Sequence, residues 1–145
     1  MLMRNEKGFT LVELIVVIAI LGILAATALP RFINETTNAR IASVNGMSGA
    51  LSSSVGVVQS AYYAAGGTGT SASMADGTTV TVGAGTGIPA NTAAGIGNAL
   101  SSLNGWSVAY ASPVTFQPTI GGSATCEATY NTGPPVVIAV VTSTC

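Results

Sequence analysis

Between Phe9 and Leu29 the chain runs with a single charge, Glu13. A helix of about twenty residues, at roughly 1.5 Å rise per residue, spans a hydrocarbon layer of about 30 Å. This stretch, Phe9-Thr10-Leu11-Val12-Glu13 continued by Leu14–Leu29, can therefore cross a membrane as one helix. Its carboxylate lies near the amino end, and without compensation at mid-bilayer it would cost about 3 kcal/mol. Glu13 needs a partner. Upstream, Arg4 and Lys7 beside Glu6 form a weakly basic flank. By the positive-inside rule that flank faces the cytoplasm, and everything after Leu29 faces outward.

The run Lys7-Gly8-Phe9-Thr10-Leu11-Val12-Glu13 is more specific than hydrophobicity requires. A short basic leader, Gly then Phe, and an acid four residues further on resemble the amino terminus of type IV pilins and their pseudopilin relatives. The resemblance implies that a prepilin peptidase cuts between Gly8 and Phe9 and methylates the new amino-terminal Phe9. It also implies that Glu13 pairs with the free amino group of a neighbouring subunit during fibre assembly. Gly22 adds backbone freedom to the helix, and Pro30 removes a donor and clashes with the turn before it. Pro30 can also simply mark the end of the span. The resemblance makes Gly22 to Pro30 a flexible section that loses helical order in the fibre. A competing reading is an ordinary secretory signal, because Ala26-Thr27-Ala28 has the small-x-small form that a signal peptidase cuts.

Composition limits what the rest can do. A chain of 145 residues has room for one small domain besides the membrane segment. It is 48% hydrophobic and only 6% charged, with no His. After cleavage Arg31 and Arg40 are the only basic side chains, which tells against nucleic-acid binding. Downstream, Asp76 and Glu127 are the only charges, and a surface of so little charge lets copies of itself approach. No nucleophile and base pair can be assembled without His or Lys and with two distant acids, so no enzyme is expected. No cofactor or metal site is expected either, there being no Cys-x-x-Cys and no phosphate-loop glycine pattern. Asp76 beside Gly77 reads as a turn former. Cys126 and Cys145 both fall on the oxidising side, where one disulfide is the natural reading and two free thiols the alternative. Such a bond could stabilise by about 3 kcal/mol.

From Arg31 to about Ala65, apolar residues at Ile41, Val44, Met47, Leu51, Val55, Val58 and Tyr62 recur at spacings of three and four, one face of an amphipathic helix. Tyr62 and Tyr63 read as half-buried packing at its end. Gly46, Gly49 and Gly56 each cost roughly 1 kcal/mol in a helix interior, and close packing against their bare backbone is the favoured explanation. Gly66 to Ser71 ends the helix and opens a Gly/Ser/Thr-rich section, in which Thr78 to Val82 alternates like a strand. Asn91 is the expected cap of a short helix carrying Ile96, Ala99, Leu100 and Leu103, closed by Asn104-Gly105. Trp106 to Ala111, Val114 to Gln117, Cys126 to Tyr130 and Val136 to Val141 read as strands joined by short turns. The expected fold is α+β, a long helix on a small antiparallel sheet.

Pilins share this element order. On that resemblance residues 1–8 are a leader, 9–29 the membrane and assembly helix, 30–65 the amphipathic helix, and 66–145 a β domain whose Glu127 to Thr144 form an exposed variable loop bounded by the disulfide. A type IVa-like major pilin, similar to pilins of the mannose-sensitive haemagglutinin type, is implied. It would wait in the bacterial inner membrane and then polymerise with copies of itself into an extracellular fibre for adhesion, twitching motility or DNA uptake. Its partners would be prepilin peptidase, the pilus assembly machinery and minor pilins. A type II secretion pseudopilin and a non-polymerising tethered binding domain are the alternatives. Pseudopilins often bind calcium through acids near the carboxyl terminus and commonly lack such a disulfide.

Overall fold

The computed structural model describes residues 8–145, with side chains described outside positions 29–34. Residues 1–7 of the expected leader and the side chains of Leu29 and Pro30 lie outside the described residues. Helix α1 runs Leu11–Ala64. The chain divides into two compact units, the first ending at Thr37 and the second running Asn38–Cys145.

In the first unit the 18-residue stretch Leu11–Ala28 is long and apolar enough to cross a membrane, and none of it is buried. Gly22 is helical here, with open space where a side chain would stand. Among the described residues, the side chains of this stretch are exposed along its whole length.

The second unit has an ordinary core. On the α1 residues of this unit, Val44, Leu51 and Val58 are fully buried, and Met47, Val55 and Tyr62 nearly so. Ile41 packs at the margin of the same cluster. This is the stripe expected from the 3.6-residue period, and full burial of each such side chain stabilises by about 1.5–3 kcal/mol. The helix ends where Gly66 and Gly67 turn left-handed, their amides donating to the carbonyls of Tyr63 and Tyr62.

Beyond it, β1 (Ser71–Ser73) and β2 (Thr79–Thr81) pair antiparallel with Ala72 opposite Val80. Those two buried residues join Val58, Tyr62 and Val82 in a small cluster. The turn between the strands is built as expected of Asp76-Gly77: the Thr78 amide donates to Asp76 Oδ1 at 2.9 Å. That bond holds the exposed Asp76 carboxyl below its ordinary range. The main sheet has strand order β3-β4-β5-β6, all antiparallel: Trp106–Ala109, Val114–Pro118, Glu127–Asn131 and Val137–Val141. Val114, Phe116, Ala128 and Tyr130 of β4 and β5 are fully buried in one cluster with Val44, Met47 and Leu51. This is the α+β plan.

Several local expectations are corrected. The short helix is only a five-residue wide turn, Ala93–Gly97, and Thr92 rather than Asn91 caps it, Thr92 Oγ1 accepting from the Gly95 amide at 3.0 Å. Asn91 instead donates through Nδ2 to Ser112 Oγ and Asn131 Oδ1, tying the connection to the sheet. Gly95, inside the turn, has non-helical angles; Ile96 is still buried, and Ala99, Leu100 and Leu103 pack at the core's margin. Ser71–Ser73 is a strand where only turns were expected.

Tyr62 and Tyr63 are not alike: Tyr62 is buried, whereas Tyr63 is 55% exposed. Around Gly46, Gly49 and Gly56 nothing lies within 4 Å of a Cβ position, so the close packing expected there is not made within the subunit. Nor is Glu127 to Thr144 an exposed loop. It contains β5 and β6, and Glu127 is 8% exposed, accepting from Gln117 Nε2 at 2.7 Å.

Candidate functional site

The start of α1 is built by a reciprocal cap. The Thr10 amide and hydroxyl both donate to Glu13 Oε2 at 2.8 Å, and the Glu13 amide donates to Thr10 Oγ1 at 3.2 Å. A Thr three residues before a Glu satisfies two orphan donors of the first turn in this way, and the carboxylate also meets the positive end of the helix dipole. Thr10 was missed as a site residue, although Thr10-Leu11-Val12-Glu13 carries the capping signature in plain sequence. Every atom of this cap lies at or beyond Thr10, so removing residues 1–8 would leave it intact.

Among the described residues, the neighbours of that carboxylate other than Thr10 are apolar and exposed. Phe9 is 86% exposed, and Leu11, Val12 and Leu14 are exposed as well. Glu13 is the only charged residue from Gly8 to Leu29. The structure places Gly8, Phe9 and Glu13 together at the head of an uncovered greasy helix, with Gly22 further along it. Cys126 and Cys145 belong to the other unit.

There Cys126 and Cys145 form a disulfide across 19 positions. Arg40 on α1 donates through Nη1 to the main-chain oxygen of Cys145 at 2.9 Å. Beside the Arg40 guanidinium lies Gly121, whose φ of +74° is a left-handed conformation that favours glycine. Arg40 was missed because nothing in its local sequence points to a partner 105 positions away. A second fixture is the Tyr62 hydroxyl, which donates to the Gly69 carbonyl at 3.1 Å and accepts from the Gly85 amide at 2.8 Å. Tyr130 donates to the Pro89 carbonyl at 2.6 Å, and burial pushes its phenol well above the ordinary range. Among the described residues no group of three or more Cys, Asp or Glu side chains could hold a metal ion.

Comparison with known proteins places the first unit in a class. Residues 3–29 match the prokaryotic N-terminal methylation motif. Over 53 residues the chain is 47% identical to the type IV narrow pilus major component PilA5 of Thermus thermophilus, covering 37% of this chain and 46% of that one. Over 36 residues it is 58% identical to the type IV major pilin protein PilE1 of Neisseria gonorrhoeae, covering 25% and 22% respectively. A fimbrial protein of Pseudomonas aeruginosa is 49% identical over 39 residues, 27% of this chain and 25% of that one. The chain thus matches less than half the length of these relatives. No solved structure matches it. These findings, with the α+β fold, support a type IV pilin, and the motif match lies at residues 3–29.

Proposed function

We propose that this protein is the structural subunit, of the major-pilin kind, of a type IV pilus. Prepilin peptidase cleaves between Gly8 and Phe9 and methylates Phe9, while the apolar helix holds the subunit in the inner membrane with its amino terminus in the cytoplasm. The assembly machinery then draws subunits into an extracellular fibre. The single observation that carries this reading is the uncovered helix Leu11–Ala28 with one carboxylate at its head, next to the Gly8-Phe9 junction.

An apolar rod with no cover of its own must be covered by lipid or by other rods. In a bundle of such rods the Glu13 carboxylate is tolerable only if a positive group meets it. The free amino group of a neighbour's Phe9 supplies that charge, and Thr10 holds the carboxylate in one rotamer for it. Gly22 to Pro30 would provide the section that extends as subunits enter the fibre. Adhesion, twitching and DNA uptake are all tasks such a fibre performs.

Replacing Glu13 by Ala tests the pairing. Electron microscopy of sheared surface fibres should then show filaments almost absent, with the processed subunit retained in the membrane. Filaments in normal number and length would overturn the mechanism. A melting temperature that rises with calcium would instead favour the secretion pseudopilin.

A further inference from the structure

The sheet's last strand is placed where its sequence does not suit it. Strand β6, Val137-Ile138-Ala139-Val140-Val141, is apolar at every position. That pattern belongs to strands covered on both faces and paired on both sides. Yet β6 lies at the end of the order β3-β4-β5-β6, and among the described residues only β5 pairs with it. Val137 is 52% exposed and Val140 40%.

The face of the sheet opposite Phe116 and Tyr130 is mostly polar, carrying Ser107, Thr115, Gln117, Glu127, Thr129 and Asn131 with Ala109 on β3. It becomes wholly apolar where β6 sets Val137, Ala139 and Val141 beside Asn131, Thr129 and Glu127. Edge strands of proteins that stay monomeric are commonly blocked by a lysine, an inward charge, a proline or a bulge. None of the five residues of β6 is charged or proline.

We infer that the outer edge of β6 is an interaction surface for a second copy of this chain, which adds a strand to the sheet through main-chain hydrogen bonds. Charge argues for a copy rather than a foreign partner. From Gly77 to Cys145 the only charged residue is Glu127, and it is buried, so this surface offers nothing to steer an unlike partner and nothing to repel its own kind. Each copy also brings a sheet with two ends, β3 and β6, of which one can receive the other's edge. Joining unlike ends is a heterologous contact that repeats without closing, the form a fibre needs. The identity of the occupant rests on the polymer reading above; the open edge itself does not.

Hydrogen exchange on the full mature chain in detergent micelles, followed over a rising protein concentration, tests this. The amides of residues 137–141 that do not already donate to β5 should slow by roughly tenfold or more as subunits associate. The same slowing is expected in the Glu13→Ala variant, so loss of the assembly role of Glu13 and loss of this edge contact are read separately. A Val137→Lys and Ala139→Lys double variant should keep its melting temperature within a few degrees and lose the slowing. Exchange independent of concentration in the wild-type chain would overturn the inference, whether the strand stays open throughout or is protected from the start. Slowing that persists in the folded lysine variant would overturn it too. The wild-type series decides even if that variant does not fold.

Discussion

The two units put similarly apolar material to opposite uses. Leu11–Ala28 exposes its side chains all round, whereas the later α1 stripe of Val44, Leu51 and Val58 hides its own completely under the sheet. The later segment alternates apolar positions with Asn, Ser, Gly and Gln, so one face can be solvated while the other packs. In the earlier one every face is greasy, and among the described residues none of it is buried. An unburied apolar surface of that size marks a contact with lipid or protein. One unit is stabilised from within, and the other only by what surrounds it.

That contrast can be broken most forcefully in the core. Phe116→Ala should cost about 3–5 kcal/mol, since the ring is fully buried. Leu21→Ala, at a site 57% exposed, should leave the unfolding of the sheet-bearing unit unchanged. Denaturant titration of the full chain in detergent, read by Trp106 fluorescence, checks both. If Leu21→Ala shifted that midpoint as much as Phe116→Ala, the two units would not be independent.

Replacing Cys126 and Cys145 by Ser comes next, at roughly 3 kcal/mol from loop closure. The loss should be non-additive with Arg40→Ala, because the disulfide holds Cys145 where Arg40 reaches it. A double-mutant cycle measures this coupling. Tyr62→Phe should cost about 1–2 kcal/mol, as it strips a bridging hydroxyl from the Gly69 carbonyl and Gly85 amide.

The smallest effect concerns pH. Asp76 has a lowered folded pKa, so its contribution is fully present above its ordinary value and fades as pH falls through the folded one. The sheet-bearing unit should lose a little thermal stability below about pH 4, and Asp76→Ala should remove that step. A step of unchanged size in the variant would assign it to other groups.

The long-range plan was legible wherever periodicity carried it. The stripe from Ile41 to Tyr62 and the four strands of the main sheet follow from spacing and β-branching, and Asp76-Gly77 from turn chemistry. Local chemistry that competes with its neighbours was less legible. Asn91 and Thr92 are both good caps; Thr92 takes the Gly95 amide, while Asn91 is held by Ser112 and Asn131. Ser71-Ala72-Ser73 lacks branched residues and becomes a strand only because Val80 sits opposite Ala72. The resemblance put Glu127 in an exposed loop, but it lies on a strand and Gln117 on the neighbouring one satisfies it. At the amino-terminal site, Gly8, Phe9 and Glu13 were read from the motif, whereas the Thr10 cap needed three bond partners to be seen at once.

The most direct measurement is mass spectrometry of the mature amino terminus, taken from the chain purified out of the cells that make it. A methylated Phe9 is expected, which would leave the helix attached and the Glu13 carboxylate four residues from a free amine. A mature chain beginning at Leu29 would mean that the greasy segment is discarded as a signal, and would contradict the polymer reading outright.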